Sequence, residues 1–407
     1  MSHVATGLGM PALTSQLQTK SRGRNALAGI LLVTLVGNIA LLGAWGWTHP
    51  DEGIEAFLGV DGNKYRVVAE NPLGRSMQFW DSPYRYQRVL VPAAWWLLSA
   101  GQRAVIPYVS VMLNVVAVCA GTVLVGVVCL RGGVPAWWAL VYGFAPGLQR
   151  ALTAGHLEPV ANLLILLALV AWVQGHKRTL LVILALLPLV KEVYAVFLVA
   201  FFAGELLARR RPRWVWVAVL APFVVWQAYI RWRFGAFGAT FHLFDVQPRW
   251  GMLISAIQWN LVVERPGARL VVLAQAWSVG LVVAVVAVVV RRLAAAYRQQ
   301  SVRFGFAELS LFAYTLLLIA LMHKVAYQLE AFFRVASTAL PMVFVAGLCP
   351  RPEGMWEGQP PVEQRDRTLV GLVLMFSALL SVLGIPILFL YLGSLPPLLF
   401  EGTPLHP

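Results

Sequence analysis

Four short stretches of this chain gather residues that can do chemistry. Asp61 is followed by Gly62 and, four positions after the aspartate, by Tyr65. Arg85 and Arg88 lie in Tyr84-Arg85-Tyr86-Gln87-Arg88, Glu158 follows His156-Leu157 and precedes Pro159, and Lys191-Glu192 sits between apolar residues. Arg334 comes after His323-Lys324, and an earlier acidic pair, Asp51-Glu52, follows His49-Pro50. A carboxylate can take a proton or ligate a metal. A guanidinium can clamp a phosphate through two parallel hydrogen bonds. Tyrosine suits both a membrane interface and contact with sugar or lipid.

Each of these residues also has a plainer reading. The 48–104 stretch can be an interfacial loop held by aromatic anchors and surface ion pairs. Glu158 opens a helix, where the N-terminal end of the dipole stabilises a carboxylate. Lys191-Glu192 can be a buried ion pair, and Arg334 can snorkel to the headgroups. Cys119, Cys129 and Cys349 lack metal-ligand spacing and read as packing residues. A phosphate-cradling loop, a dinucleotide fingerprint, a zincin helix and a nucleophile elbow are all missing from the sequence.

The elements that must position these groups are apolar helices. The chain of 407 residues is 59% hydrophobic and 12% charged, with a mean hydropathy of +0.72. A soluble domain carries about 25% charged residues. Apolar runs at about 26–47, 105–130, 134–150, 158–174, 178–190, 193–208, 214–231, 269–291, 305–323, 333–349 and 369–392 predict roughly eleven spans. The fold class expected is all-α, a polytopic transmembrane bundle. The run from Val89 to Ala100 is too short to cross and is expected as an interfacial or re-entrant helix. The pair 178–190 and 193–208 is expected as two short helices meeting at Lys191-Glu192.

The net charge of +14 raises nucleic acid as a partner, but the basic runs His176-Lys177-Arg178, Arg209-Arg210-Arg211 and Arg291-Arg292 fall between spans. Their bland role is orientation during insertion, and that reading is preferred. It places the N-terminus in the cytoplasm, with 1–25 as a cytoplasmic tail and the apolar run from Ala26 to Trp47 as a retained first helix. The loops 48–104 and 232–268 then lie outside, and the chain divides into a module over 26–231 and further helices over 232–407.

The order of these motifs resembles the GT-C superfamily of multi-spanning glycosyltransferases, and within it a bacterial group of cell-surface glycopolymer formation proteins. Four features carry the resemblance: Asp61-Gly62 with Tyr65, the segment from Tyr84 to Pro92, His156-Leu157-Glu158-Pro159, and Leu189-Val190-Lys191-Glu192. It covers residues 26–210, and beyond them only the topology. Relatives carry Asp-Glu where this chain has Asp61-Gly62, so Asp51-Glu52 is the alternative counterpart; the spacing to Tyr65 favours Asp61.

The resemblance implies a polyprenyl-phosphate sugar as donor, a cell-envelope glycan or lipid as acceptor, and a site on the outer face of a bacterial inner membrane. Asp61 would be the base, and Glu158 would position the acceptor or share a divalent metal, whose need is left open. Tyr65, Arg85, Arg88, Lys191, Glu192 and Arg334 would bind substrate and phosphate. The rival expectation is a transporter or flippase of lipid-linked glycans, which calls for charges along the whole membrane depth and inverted repeats. Neither appears in the sequence.

Overall fold

The computed structural model describes residues 10–74, 81–207, 215–238, 309–311, 313, 314, 317 and 337–348. Their regular structure is helical throughout, and no strand occurs among them. The elements are α1 (Met10–Thr48), a 3-10 turn (Gly53–Phe57), α2 (Gly59–Glu70), α3 (Ser82–Tyr86), α4 (Leu90–Leu98) and α5 (Ile106–Arg131). A second 3-10 turn (Ala136–Ala139) leads to α6 (Leu140–Gly143) and α7 (Pro146–Thr153). Then come α8 (Glu158–Val173), α9 (Lys177–Val190), a third 3-10 turn (Glu192–Tyr194), α10 (Ala195–Leu207), α11 (Val215–Phe234) and α12 (Ala339–Leu348).

Two of these helices are long and apolar enough to cross a membrane, over Gly23–Thr48 and Ile106–Arg131. They run antiparallel and in contact. Leu27 and Ile30 approach Gly126, and farther along Asn38 bonds the Cys119 sulfur at 3.9 Å. Their surroundings differ. Only 17% of the apolar window of α1 is buried, against 56% for α5. Leu32, Val36 and Ile39 on α1 are exposed, as are Met112 and Val116 on α5, Val199 on α10 and Val225 on α11. So much exposed aliphatic surface on several helices suits hydrocarbon better than water. The shared core lies where α5, α8 and α9 meet, around Val118, Val125, Ile165, Leu169, Leu184 and Leu187.

Three boundaries depart from the sequence reading. The helix of α1 already covers residues 10–25, expected as a tail; Pro11 does not prevent this, because the first helical turn needs no backbone donor from it. The run 134–150 is three short pieces rather than one span. Pro146 forces the residue before it out of the helical region, and Ala145 accordingly has ψ 128°. Finally, α11 continues to Phe234, past the expected end at 231. The runs 269–291 and 369–392 and most of 305–323 lie outside the described residues, as does the loop beyond 238. Short helices lie within 48–104, and Leu90–Leu98 is a nine-residue helix, far below spanning length.

The polarity of the bundle follows from these contacts. The end of α1, the starts of α5, α8 and α10, and the ends of α9 and α11 lie together, capped by the short helices α2 and α3. Arg24, Arg131, Lys177 and Arg178 are exposed at the opposite end.

Candidate functional site

On α2, Asp61, Tyr65 and Val68 repeat at helical spacing and share one face. Asp61 lies in the first turn, where free backbone N–H groups favour a carboxylate. The helix can sit low over the bundle because position 62 is glycine. A Cβ there would come within 2.7 Å of the Ala154 carbonyl oxygen and 3.2 Å of the Gly155 Cα. Those are backbone atoms that cannot swing aside. Gly155 itself has φ +61°, the left-handed turn that leads into Glu158. A side chain at position 62 would therefore hold α2 away from that turn.

From Asp61 the polar groups run in a connected line. Arg85 Nη1 pairs with Asp61 Oδ1 at 3.0 Å, while Arg85 Nε donates to Asp81 Oδ2 at 2.9 Å. Lys64 Nζ reaches the same Asp81 oxygen at 3.0 Å. The Tyr65 hydroxyl accepts from Arg88 Nη1 at 2.7 Å and more loosely from Arg85 Nη1 at 3.5 Å. Arg88 then grips Glu192 with both arms of its fork, Nε to Oε2 at 2.9 Å and Nη2 to Oε1 at 2.6 Å. It also bonds the Tyr84 hydroxyl and lies 4.1 Å from that ring's centre. Next to Glu192, Lys191 Nζ donates to Glu158 Oε1 at 3.2 Å. Tyr194 and Tyr314 are buried within electrostatic reach of Glu158.

Charge and burial set how firmly each group is held. Burial acts to discharge Arg88, but Glu192, Tyr65 and Tyr84 outweigh it and push the guanidinium well above its ordinary value. Arg85 is likewise raised, burial being overcome by Tyr65 and Asp61. Burial would lift the Glu192 carboxyl; the adjacent Arg88, by charge and hydrogen bond, holds it below its ordinary value. Burial pushes the Tyr84 hydroxyl up. Asp61, Glu192 and Glu158 thus face Arg85, Arg88 and Lys191, three carboxylates against three cations.

Of the residues expected from sequence, Asp61, Tyr65, Arg85, Arg88, Glu158, Lys191 and Glu192 come together. Asp51 and Glu52 do not; they are exposed in the turn after α1 and form no ion pair among the described residues. Arg334 lies outside the described residues. No group of three or more His, Cys, Asp or Glu side chains converges as a metal site among the described residues.

Several contributors escape a reading by motif. Asp81 orients Arg85 from four residues upstream, a spacing that could have found it. The C-terminal half of α11 holds the arginine-bearing loop from behind. Trp226 Nε1 donates to the Tyr86 carbonyl at 2.8 Å, Tyr229 Oη to the Leu73 carbonyl at 2.7 Å, and Arg233 Nε to the Gly74 carbonyl at 2.5 Å. Trp226, Tyr229 and Arg233 stand three and four apart on one helix face, a polar and aromatic stripe at the end of an apolar run. Comparison with protein-family models, curated proteins and solved structures finds no match to this chain, so the meaning of the cluster rests on its own geometry.

Proposed function

We propose that this chain is an integral membrane glycosyltransferase of the GT-C type. It moves a sugar from a polyprenyl-phosphate donor to a cell-envelope glycan or lipid acceptor at the outer face. The observation that carries this reading is the single line of contacts from Asp61 through Arg85, Tyr65, Arg88 and Glu192 to Lys191 and Glu158. These residues come from four separate stretches and meet at one end of the apolar helices. The exposed basic residues at the other end favour a cytoplasmic position for that end.

The geometry suits a direct displacement. The acceptor hydroxyl gives its proton to the Asp61 carboxylate as its oxygen attacks the anomeric carbon. The bond from that carbon to the phosphate oxygen breaks, and the prenyl phosphate leaves with the electron pair, inverting the sugar carbon. A phosphate leaves readily, so one carboxylate base suffices. Arg85 and Lys191 would neutralise the departing phosphate.

Both cations are carboxylate-paired, and this makes the exchange of partners informative. Asp81 fixes Arg85 through Nε, leaving Nη1 to change partner from Asp61 to a phosphate oxygen. A carboxylate bonded to a guanidinium is a poorer base than one released from it. Donor binding would therefore free the base. Carrier or flippase action finds less support, because the paired charges described above gather at one end rather than through the depth.

The test is Asp61→Asn in a membrane assay with a lipid-linked sugar donor. Transfer is expected to fall by about a hundredfold or more. A folded variant that turns over like wild type removes Asp61 from the base role, and a wild type that flips a lipid-linked sugar without transferring it overturns the enzyme reading.

A further inference from the structure

Asn162 lies on α8, one turn beyond Glu158, and is completely buried. Neither its Nδ2 nor its Oδ1 has a hydrogen-bond partner among the described residues. An amide buried with donor and acceptor both unmet is costly, and such groups in a folded chain call for a partner. Residues i and i+4 share a helix face, and side chains on a helix lean toward its N-terminus. The Asn162 amide therefore leans back toward the turn that presents Glu158. Asn114 on α5 marks the same neighbourhood. Its Nδ2 holds the His156 carbonyl at 3.0 Å, and its Oδ1 is also unpartnered among the described residues.

We propose that Asn162, with Glu158 above it, forms the polar floor of a sugar-headgroup subsite and selects for one hydroxyl of the bound sugar. This rests on the transferase reading. The chemistry follows from the amide itself. It is neutral, offering one strong acceptor and two donors side by side, so it does not compete for the phosphate. A hydroxyl, which both donates and accepts, satisfies it. A carboxylate one turn away accepts a second hydroxyl. Such a site rejects an analogue lacking the hydroxyl because the buried amide is then left unmet again.

The probe is an unreactive prenyl phosphonate carrying a pentose or hexose headgroup, with a matched set of mono-deoxy headgroups. Binding is measured on the purified full-length chain in detergent. Asn162→Leu is expected to bind the parent probe about tenfold more weakly. The deoxy position that most weakens binding to wild type should cost the variant nothing. Without probe, the variant should melt no lower than wild type, since it loses an unmet amide. If leucine prevents folding, Asn162→Ala carries the same comparison. Equal parent binding, or an unchanged deoxy penalty, means that the amide holds an ordered water only and overturns the inference alone. A wild type that binds no lipid-linked probe overturns the transferase reading together with it.

Discussion

Arg85 and Arg88 stand one helical turn apart and are held differently. The Arg88 side chain is 5% exposed and locks both arms of its fork onto Glu192. Arg85 splits its fork between Asp81, which is buried, and Asp61, whose side chain is 31% exposed. The first pair joins the segment after α3 to the break between α9 and α10 through a two-armed contact. The second keeps one anchored bond and one exchangeable bond. A catalytic cation must be able to change partners as charge moves; a structural one must not. Under the proposed transferase reading, the same residue type would serve as rivet at 88 and as reagent at 85.

The largest effect should come from breaking the rivet. Arg88→Met leaves Glu192 charged and buried without its fork, and is expected to cost about 3 kcal/mol or more of stability. Arg85→Met should cost less, about 1 kcal/mol, because Lys64 still neutralises Asp81, yet it should reduce transfer as strongly as Asp61→Asn. Thermal unfolding in detergent alongside a transfer assay checks both. Equal stability losses would erase the distinction between the two arginines.

A smaller loss is expected from Gly62→Ala. The added methyl meets the Ala154 carbonyl oxygen, and overpacking of this kind costs about 1–3 kcal/mol, offset by about 1 kcal/mol of helix propensity. The residue also sits between the two ends of the comparison. Lifting α2 moves Asp61 and Tyr65 while leaving Arg88 on Glu192. Transfer should therefore fall further than stability does, and equal losses of the two would mean that α2 does not move.

How much of this was legible in the chain depends on the distance over which each signal acts. Apolar helices such as the long α5 and the shorter α8 are written in consecutive residues and emerge within one or two positions. The break at Ala145 was written too, in Pro146, but the apolar character of 134–150 masked it. Among site residues, type and order pointed to Asp61, Arg85 and Lys191. Pairing did not: that Arg88 takes Glu192, 104 positions away, while Lys191 takes Glu158 is set by how α9 turns over against α3 and α8. No local pattern distinguishes the rivet from the reagent. The support from α11 was equally hidden, because its donors find backbone carbonyls, which carry no sequence signature.

Acid should test the Arg88–Glu192 pair as well. Arg88 holds the Glu192 carboxyl below its ordinary value of 4.5. The folded form binds that proton less readily than the unfolded chain does. The stabilisation is therefore complete above the ordinary value and is lost as pH falls below it, through the lowered folded value. Glu192→Gln should be less stable than wild type at neutral pH and should lose less on acidification. A wild-type stability profile identical in slope to that of Glu192→Gln below pH 4.5 would mean that the rivet owes nothing to charge.

The least effect on stability is expected behind the loop, at Tyr229→Phe. The hydroxyl it removes is partly exposed, and its bond to the Leu73 carbonyl is one of three from α11 to the loop, so about 0.5 kcal/mol should be lost. The informative readout is local. Amide exchange at residues 71–74 should quicken while exchange at Lys191 and Glu192 stays as it was, because Arg88 still ties the other side. If both regions quicken together, the loop and the helix break move as one body. The two arginines would then share one mechanical fate, and the exchangeable bond at Arg85 would have to be sought in side-chain motion alone.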